Sequence, residues 1–281
     1  MSDNKDLLFE LGCEELPPKS LLKLSNALLS GIEAGLKEAE LNYTSAHAYA
    51  SPRRLAVIIN GLNTSQPDKS VEKRGPAVQA AFAEDGTPSK AAQGFARGCG
   101  VTVDQLDRLK TDKGEWLAFN QEVKGLPTEQ LIPGIILKSI QQLPIAKRMR
   151  WGSYATEFVR PVHWAVLLFG KAVITTEILG LTTSNQSQGH RFHAPEKITI
   201  EQTDQYVERL KDQGKVIVDF AERQAIIQQK ANTAADSVNG IAHIETDLLE
   251  EIAALNEWPV PVLGNFDSRF LDLPNEVLIT T

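Results

Sequence analysis

The chain has 281 residues, 42% hydrophobic and 23% charged, which is ordinary globular usage and excludes a disordered chain. That length supports one large core or two modest ones. The net charge of −7 argues against a dedicated nucleic-acid binder, but residues 196–281 carry 7 basic and 16 acidic side chains against 22 and 20 in residues 1–195. Basic patches therefore survive in the first two-thirds.

No apolar run approaches the ~18–20 residues needed to cross a bilayer. The longest candidate, 162–170, is interrupted by His163 and Trp164. Acids also stand at the N-terminus where a signal peptide needs a basic start. The chain reads as cytosolic, with no membrane partner. Cys13 and Cys99 each stand alone and read as small, semi-buried residues, forming neither a disulfide framework nor a zinc site.

In chain order, residues 7–13 (LLFELGC) read as a strand. Pro17 and Pro18 suit a helix entry, where N–H groups lack intrahelical partners. Behind them Leu21, Leu24, Leu28, Ile32 and Leu36 recur at spacings of three and four, the apolar face of a helix. Strands are expected at 47–50 and 54–60, the second closed by Gly61. Residues 1–62 thus make a small sheet with a helix on one face.

Residues 63–150 read as an inserted subdomain. A polar, turn-rich stretch leads to the basic run Glu72-Lys73-Arg74 and a Gly75-Pro76 breaker. Ser89 can cap a helix over 90–97, stopped by Gly98 and Gly100. A β-hairpin is expected around 112–114 and a helix over 128–142. From 151 to 281 the texture is strand-rich and then α/β. Apolar segments 158–169 and 173–181 flank Gly170-Lys171 as a hairpin. A helix follows over 203–213, then a strand over 215–219. A long helix is opened by the capping-box spacing Asp219 to Glu222, another spans 246–256, and a last strand spans 260–266. Residues 273–281 read as the first turns of a helix without a cap, as in a chain cut short. The expected fold class is α+β, with small sheets and packed helices.

No P-loop, GxGxxG, HExxH, GxSxG or EF-hand pattern is present. His190 and His193 stand three apart, but two ligands do not make a metal site, and they read as loop histidines that hydrogen-bond or stack. His163, in an apolar strand, reads as a satisfied core histidine. The basic constellations are Arg53-Arg54, Lys73-Arg74, and Lys147-Arg148-Met149-Arg150-Trp151 with Arg160, and Arg191 lies between the two histidines. Arginine can pair with phosphate at two points, and Trp, Phe or His can stack on unpaired bases. The same arginines could instead tie carboxylates between subdomains, and spacing leaves both readings open.

At this point a family resemblance emerges. Glu10-Leu-Gly-Cys-Glu-Glu-Leu-Pro-Pro18, Ser51-Pro-Arg-Arg-Leu-Ala56, Lys73-Arg-Gly-Pro76, Pro88-Ser-Lys-Ala-Ala92 with Gly94-Phe-Ala-Arg97, and Lys147-Arg-Met-Arg-Trp-Gly152 resemble successive signatures of the bacterial glycyl-tRNA synthetase beta subunit. Phe158-Val-Arg-Pro-Val-His-Trp164, Gly189-His-Arg-Phe-His193, Glu257-Trp-Pro259 and the Leu273–Thr281 segment continue the series in order. Cys13, where a hydroxyl residue is expected, and Ser51, where Thr or Ala is common, are small departures.

The resemblance implies an alpha-two beta-two glycine–tRNA ligase whose alpha chain holds the ATP, Mg and glycine site. The beta chain then carries no cofactor of its own and supports charging by binding tRNA(Gly) and the alpha chain. It also implies that residues 151–281 resemble the editing-type domain of the phenylalanyl-tRNA synthetase beta chain. Later helical and anticodon-binding parts would lie beyond this chain, which alone should not activate glycine. The contact candidates toward tRNA or the alpha chain are Arg53, Arg54, Lys73, Arg74, Lys147, Arg148, Arg150, Trp151, Arg160, His190, Arg191 and His193, and no catalytic residue is assigned. An aminoacyl-tRNA hydrolysing module and a purely structural scaffold are the alternatives.

Overall fold

A computed structural model describes residues 4–83, 86–112, 114–153 and 155–280. The first three residues, Lys113 of the expected hairpin turn, and Thr281 lie outside the described residues. The fold is α+β, built on a five-stranded antiparallel sheet.

Its first strand, β1 (Lys5–Cys13), leads to α1 (Pro18–Glu38) and then to β2 (Ser45–Ser51) and β3 (Arg54–Leu62). A separate three-stranded sheet holds β4 (Lys69–Ala77), β5 (Asp107–Thr111) and β6 (Gly114–Val123), with α2 (Val78–Ala81) and α3 (Lys90–Cys99) packed on it. The chain returns through α4 (Thr128–Gln141) and the short pair β7 (Met149–Arg150) and β8 (Glu157–Phe158) to β9 (Val162–Phe169) and β10 (Ala172–Val173). Short pairs β11 (Glu177–Ile178) with β12 (Leu181–Thr182), and β13 (Gln186–Gln188) with β14 (Lys197–Thr199), precede α5 (Tyr206–Asp212), α6 (Phe220–Asp236), α7 (Thr246–Leu255) and α8 (Asn275–Thr280).

The main sheet has the order β10-β9-β1-β3-β2, so β1 is central. Leu7, Phe9 and Leu11 face one way and meet Leu21, Leu24, Leu28, Ile32 and Leu36 of α1 and Ile132, Ile136 and Ile140 of α4. Leu8 faces the other way with Ile58, Val166 and Leu168, under Ile198, Tyr206, Leu210, Val216 and Val218. Both faces are thus covered, which is why LLFELGC is apolar on both faces apart from Glu10 and does not alternate. Cys13 lies in the first core, where burial pushes its thiol up and away from the reactive thiolate. Cys99 is half-buried.

Several expected elements stand where they were placed. Pro18 opens α1, and Ser89 Oγ accepts from Ala92 N (3.3 Å) at the start of α3. Asp219 accepts from Glu222 N (2.8 Å) at the start of α6. Others differ. β4 runs through the basic run Glu72-Lys73-Arg74 and the Gly75-Pro76 expected to break structure. An exposed strand buries no face and leaves no period-two signature. The 215–219 segment begins at Lys215 with a φ of 53° and forms no ladder. Val216 N bonds Leu210 O, Ile217 N bonds Glu257 O, and Val218 O accepts from Ala50 N, which sends its bonds to three different segments. The strand expected at 260–266 is also not formed. Val260, Val262, Leu263 and Phe266 are exposed and pair with no strand among the described residues.

Leu28→Ala, which leaves a cavity between α1 and the sheet, is expected to cost about 2–5 kcal/mol in chemical denaturation. Leu263→Ala, on an exposed segment, should shift the same transition by less than ~0.5 kcal/mol.

Candidate functional site

The turn between β2 and β3 consists of Pro52 and Arg53, because Ser51 and Arg54 pair across it. A hairpin tip is ordinarily exposed, yet all four residues are buried. The segment after β1 closes over it, with Cys13 N donating to Arg53 O (2.8 Å) and Leu16 N to Pro52 O (2.7 Å).

Register explains what lies beneath. Gly12 pairs with Arg54 on one neighbouring strand and with Trp164 on the other. A Cβ on Gly12 would stand 1.8 Å from Trp164 Cε2, so only glycine lets the indole lie across β1. The indole Nε1–H donates to Glu10, two residues back on the same face.

Glu10 and Arg54 are both 0% exposed, and Glu257 is 6% exposed. The direct charge separations are long, 3.6 Å from Arg54 to Glu10 and 3.5 Å to Glu257. Two serines bridge them. Arg54 Nη1 donates to Ser187 Oγ (3.2 Å), which donates to Glu10 (2.6 Å). Arg54 Nε donates to Ser51 Oγ (3.0 Å), which donates to Glu257 (2.7 Å). Arg54 Nη2 donates to Gln188 O (2.8 Å), and Tyr206 OH donates to Glu10 (2.5 Å). Burial works against the Arg54 charge, but Glu10 and Glu257 outweigh it and raise the guanidinium above its ordinary range. Burial and Glu10 push the Tyr206 phenol well up, so it remains a donor.

A second buried arginine, Arg223, donates to the carbonyls of Ala253, Ile217 and Ala50, joining α7, the 215–219 segment and β2. Burial lowers its pKa to about 10, against the pull of Glu257 and Asp219, so it stays charged at neutral pH.

Arg54 therefore belongs inside the protein, and the expectation of an external contact there is corrected: its guanidinium faces a carboxylate on the central strand. His163 is corrected in the opposite sense. It lies on the exposed side of β9, with Nε2 2.8 Å from Glu14 Oε1. Arg191 pairs with Glu14 (2.5 Å) and Glu15 (3.1 Å). Burial raises the Glu14 pKa, but the bonds from Arg191 and His163 outweigh it and hold the carboxyl below the usual range.

The His190 and His193 rings lie 4.4 Å apart, and His190 Nδ1 accepts from Phe192 N and His193 N (3.2 Å each). The neutral ring then carries its proton on Nε2. Burial lowers the His190 pKa. Glu257 opposes that shift, while His193, Arg53 and Arg54 add to it. Gly189 closes this turn, since a Cβ there would stand 2.1 Å from Ala194 O.

The remaining candidates fall in two places. Lys73 and Arg74 are exposed on β4, with the Arg74 guanidinium 3.7 Å from the Trp116 ring centroid. Lys147 and Arg150 are exposed beside the half-exposed Arg148 and the half-buried Trp151. Arg148 donates to Gln141 O (2.8 Å), Arg150 lies 3.6 Å from Glu157, and Arg160 donates to Glu15 O (3.0 Å). A pocket of about 300 Å³ lies between the start of α1 and this loop. Its lining includes Lys23, Pro144, Ile145, Lys147, Met149 and Arg160, and no acid. A pocket of about 390 Å³ is lined instead by Asp247, Glu250 and Glu251 and does not suit an anion.

Spacing did not single out Glu10, Ser187, Tyr206, Glu257 or Arg223. The available signals were Glu10 inside an apolar run and Arg54 at the head of another. Their partners are up to 206 residues away.

A sequence profile described as "Glycyl-tRNA synthetase beta subunit" matches residues 7–281. The glycine–tRNA ligase beta subunit of Hahella chejuensis is 51% identical over 279 residues, that of Marinobacter nauticus 50% over 278, and that of Psychromonas ingrahamii 51% over 277. Each comparison takes in 99% of this chain and 40% of the relative, so the chain spans about 40% of the length of these curated relatives.

Arg54→Met leaves two carboxyl groups buried without their cation and is expected to cost about 3–5 kcal/mol of unfolding free energy. Adding Glu10→Gln and Glu257→Gln should restore part of it. An equal loss in the single and triple variants would show that the charges are not coupled through Arg54.

Proposed function

Because the chain belongs to the glycyl-tRNA synthetase beta-subunit family, we propose that it serves the ATP-dependent glycylation of tRNA(Gly) as a binding and positioning part of a glycine–tRNA ligase. The amino-acid-activating chemistry resides on an alpha subunit. The observation that carries the RNA-binding side of this reading is the pocket beside the 144–150 loop, where Lys23, Lys147 and Arg160 converge and no carboxylate joins them. Lys147 has no acidic partner among the described residues, and the long exposed side chains of Lys147 and Arg150 can reach outward. Three cations around a concave apolar floor suit a phosphate backbone, because each phosphate met releases condensed counterions. The acidic C-terminal third accounts for the negative total charge without removing this local field.

In the full-length alpha–beta assembly, Lys147→Glu, Arg148→Glu and Arg150→Glu together are expected to weaken tRNA(Gly) binding more than about tenfold. The slope of log affinity against log salt should fall by about two to three. Unchanged tRNA affinity with lost alpha-chain assembly would instead make this loop a subunit-docking surface.

A further inference from the structure

Arg53 and Arg54 are neighbours in sequence and opposites in chemistry. Arg54 has every guanidinium nitrogen engaged, whereas Arg53, only 8% exposed, has no hydrogen bond or ion pair from its side chain to any described residue. Its Nε is sealed from solvent without a partner, and Nη1 and Nη2 are the nitrogens left open. Among the described residues, the one contact its guanidinium makes is with the Trp164 ring, 5.5 Å from guanidinium carbon to centroid, a ring that Arg54 approaches at the same distance. A cation–π contact of that length offsets only part of the cost of desolvating a cation.

The 189–194 turn is tied to the same neighbourhood, because Arg54 donates to Gln188 O just before it and Arg191 within it bonds Glu14, next to the Cys13 whose N–H meets Arg53 O. Phe192, adjoining the His190–His193 stack, is 82% exposed. Glu14 and Glu15 would repel an incoming anion, but Arg191 takes both. The Glu15 carbonyl also receives Arg160 of the basic pocket, so the two places share one stretch of surface.

We propose that Arg53 and Phe192 form a nucleotide subsite. The Nη groups of Arg53 take a backbone phosphate from an unpaired stretch of tRNA, and the Phe192 ring stacks on the adjoining base. Forked donors suit a phosphate, and the exposed ring on the neighbouring turn favours a nucleotide over a protein carboxylate, which would leave that ring uncovered. The proposal rests on the RNA-binding reading above but on different residues. An arginine held buried without an acceptor is a poor structural element, so its removal should not loosen the fold as removal of Arg54 does.

The test uses the full-length alpha–beta assembly and tRNA(Gly) with Arg53→Met, Arg53→Lys and Phe192→Ala, beside the 147–150 charge reversal. Arg53→Met is expected to leave the melting temperature unlowered and to weaken tRNA binding roughly tenfold or more. Arg53→Lys should restore it only in part. Phe192→Ala, on an exposed ring that bears on no core, should weaken binding roughly five- to a hundredfold. A photo-crosslinking residue at position 192 should label tRNA. Loss of tRNA binding in these variants upholds the subsite even if the 147–150 reversal is silent. The proposal falls if Arg53→Met lowers the melting temperature as Arg54→Met does. It also falls if Arg53→Met and Phe192→Ala bind tRNA like the parent, or if they impair only alpha-chain assembly.

Discussion

Glu10 and Arg54 face each other across the middle of a sheet that is covered on both sides, and the arrangement of this chain depends on satisfying that pair. Neither group meets water. Charges so placed gain from attraction only if the remaining donors and acceptors are also met. The protein meets them with side chains from well-separated parts of the sequence: Ser51 from β2, Trp164 from β9, Ser187 from β13, Tyr206 from α5, and Glu257 after α7. None of these segments can leave without exposing an unpaired charge in the core. The cluster therefore couples the first hairpin to the last third of the chain more selectively than apolar contact could, since apolar packing tolerates small slips and forked hydrogen bonds do not.

The same cluster shapes the surface above it. Gly12, lying in register between Arg54 and Trp164, lets the indole fold flat across β1. The indole in turn supports the guanidinium of Arg53. Glu257 and Arg223 draw α6 and α7 against the hairpin tip, and the 189–194 turn follows β13 into place beside it. Above this network lie Arg53, which has no acceptor among the described residues, and the exposed Phe192 ring. The cations of the 144–150 loop lie on the surface instead, Lys147 and Arg150 exposed and Arg148 half-exposed.

Much of the fold was legible where burial is one-sided and periodic. The α1 stripe from Leu21 to Leu36, the Ser89 and Asp219 caps and the position of β3 follow from local spacing, and each is found in place. Legibility failed where the deciding partner is remote. β4 is a polar edge strand held by β6, which begins 37 residues after β4 ends. The 215–219 and 260–266 segments have the residues of strands but form no ladder, and the first sends its backbone bonds to the β2 edge and to two other segments. The candidate site divided in the same way. The basic clusters were visible as residue types, but nothing local distinguished Arg53 from Arg54, or foresaw that His163 would turn outward.

By itself the sequence determined the α+β class, the helices whose apolar faces repeat at three and four, and the ordered motifs that place the chain in its family. These depend on neighbours within a few turns or on matches residue by residue. Tertiary structure alone decided which arginine is paired with carboxylates, which carboxylates those are, and which arginine is left without an acceptor among the described residues. Both guanidinium groups lie over the Trp164 indole, but Arg54 meets acceptors that arrive from more than a hundred residues away, and Arg53 meets none among the described residues.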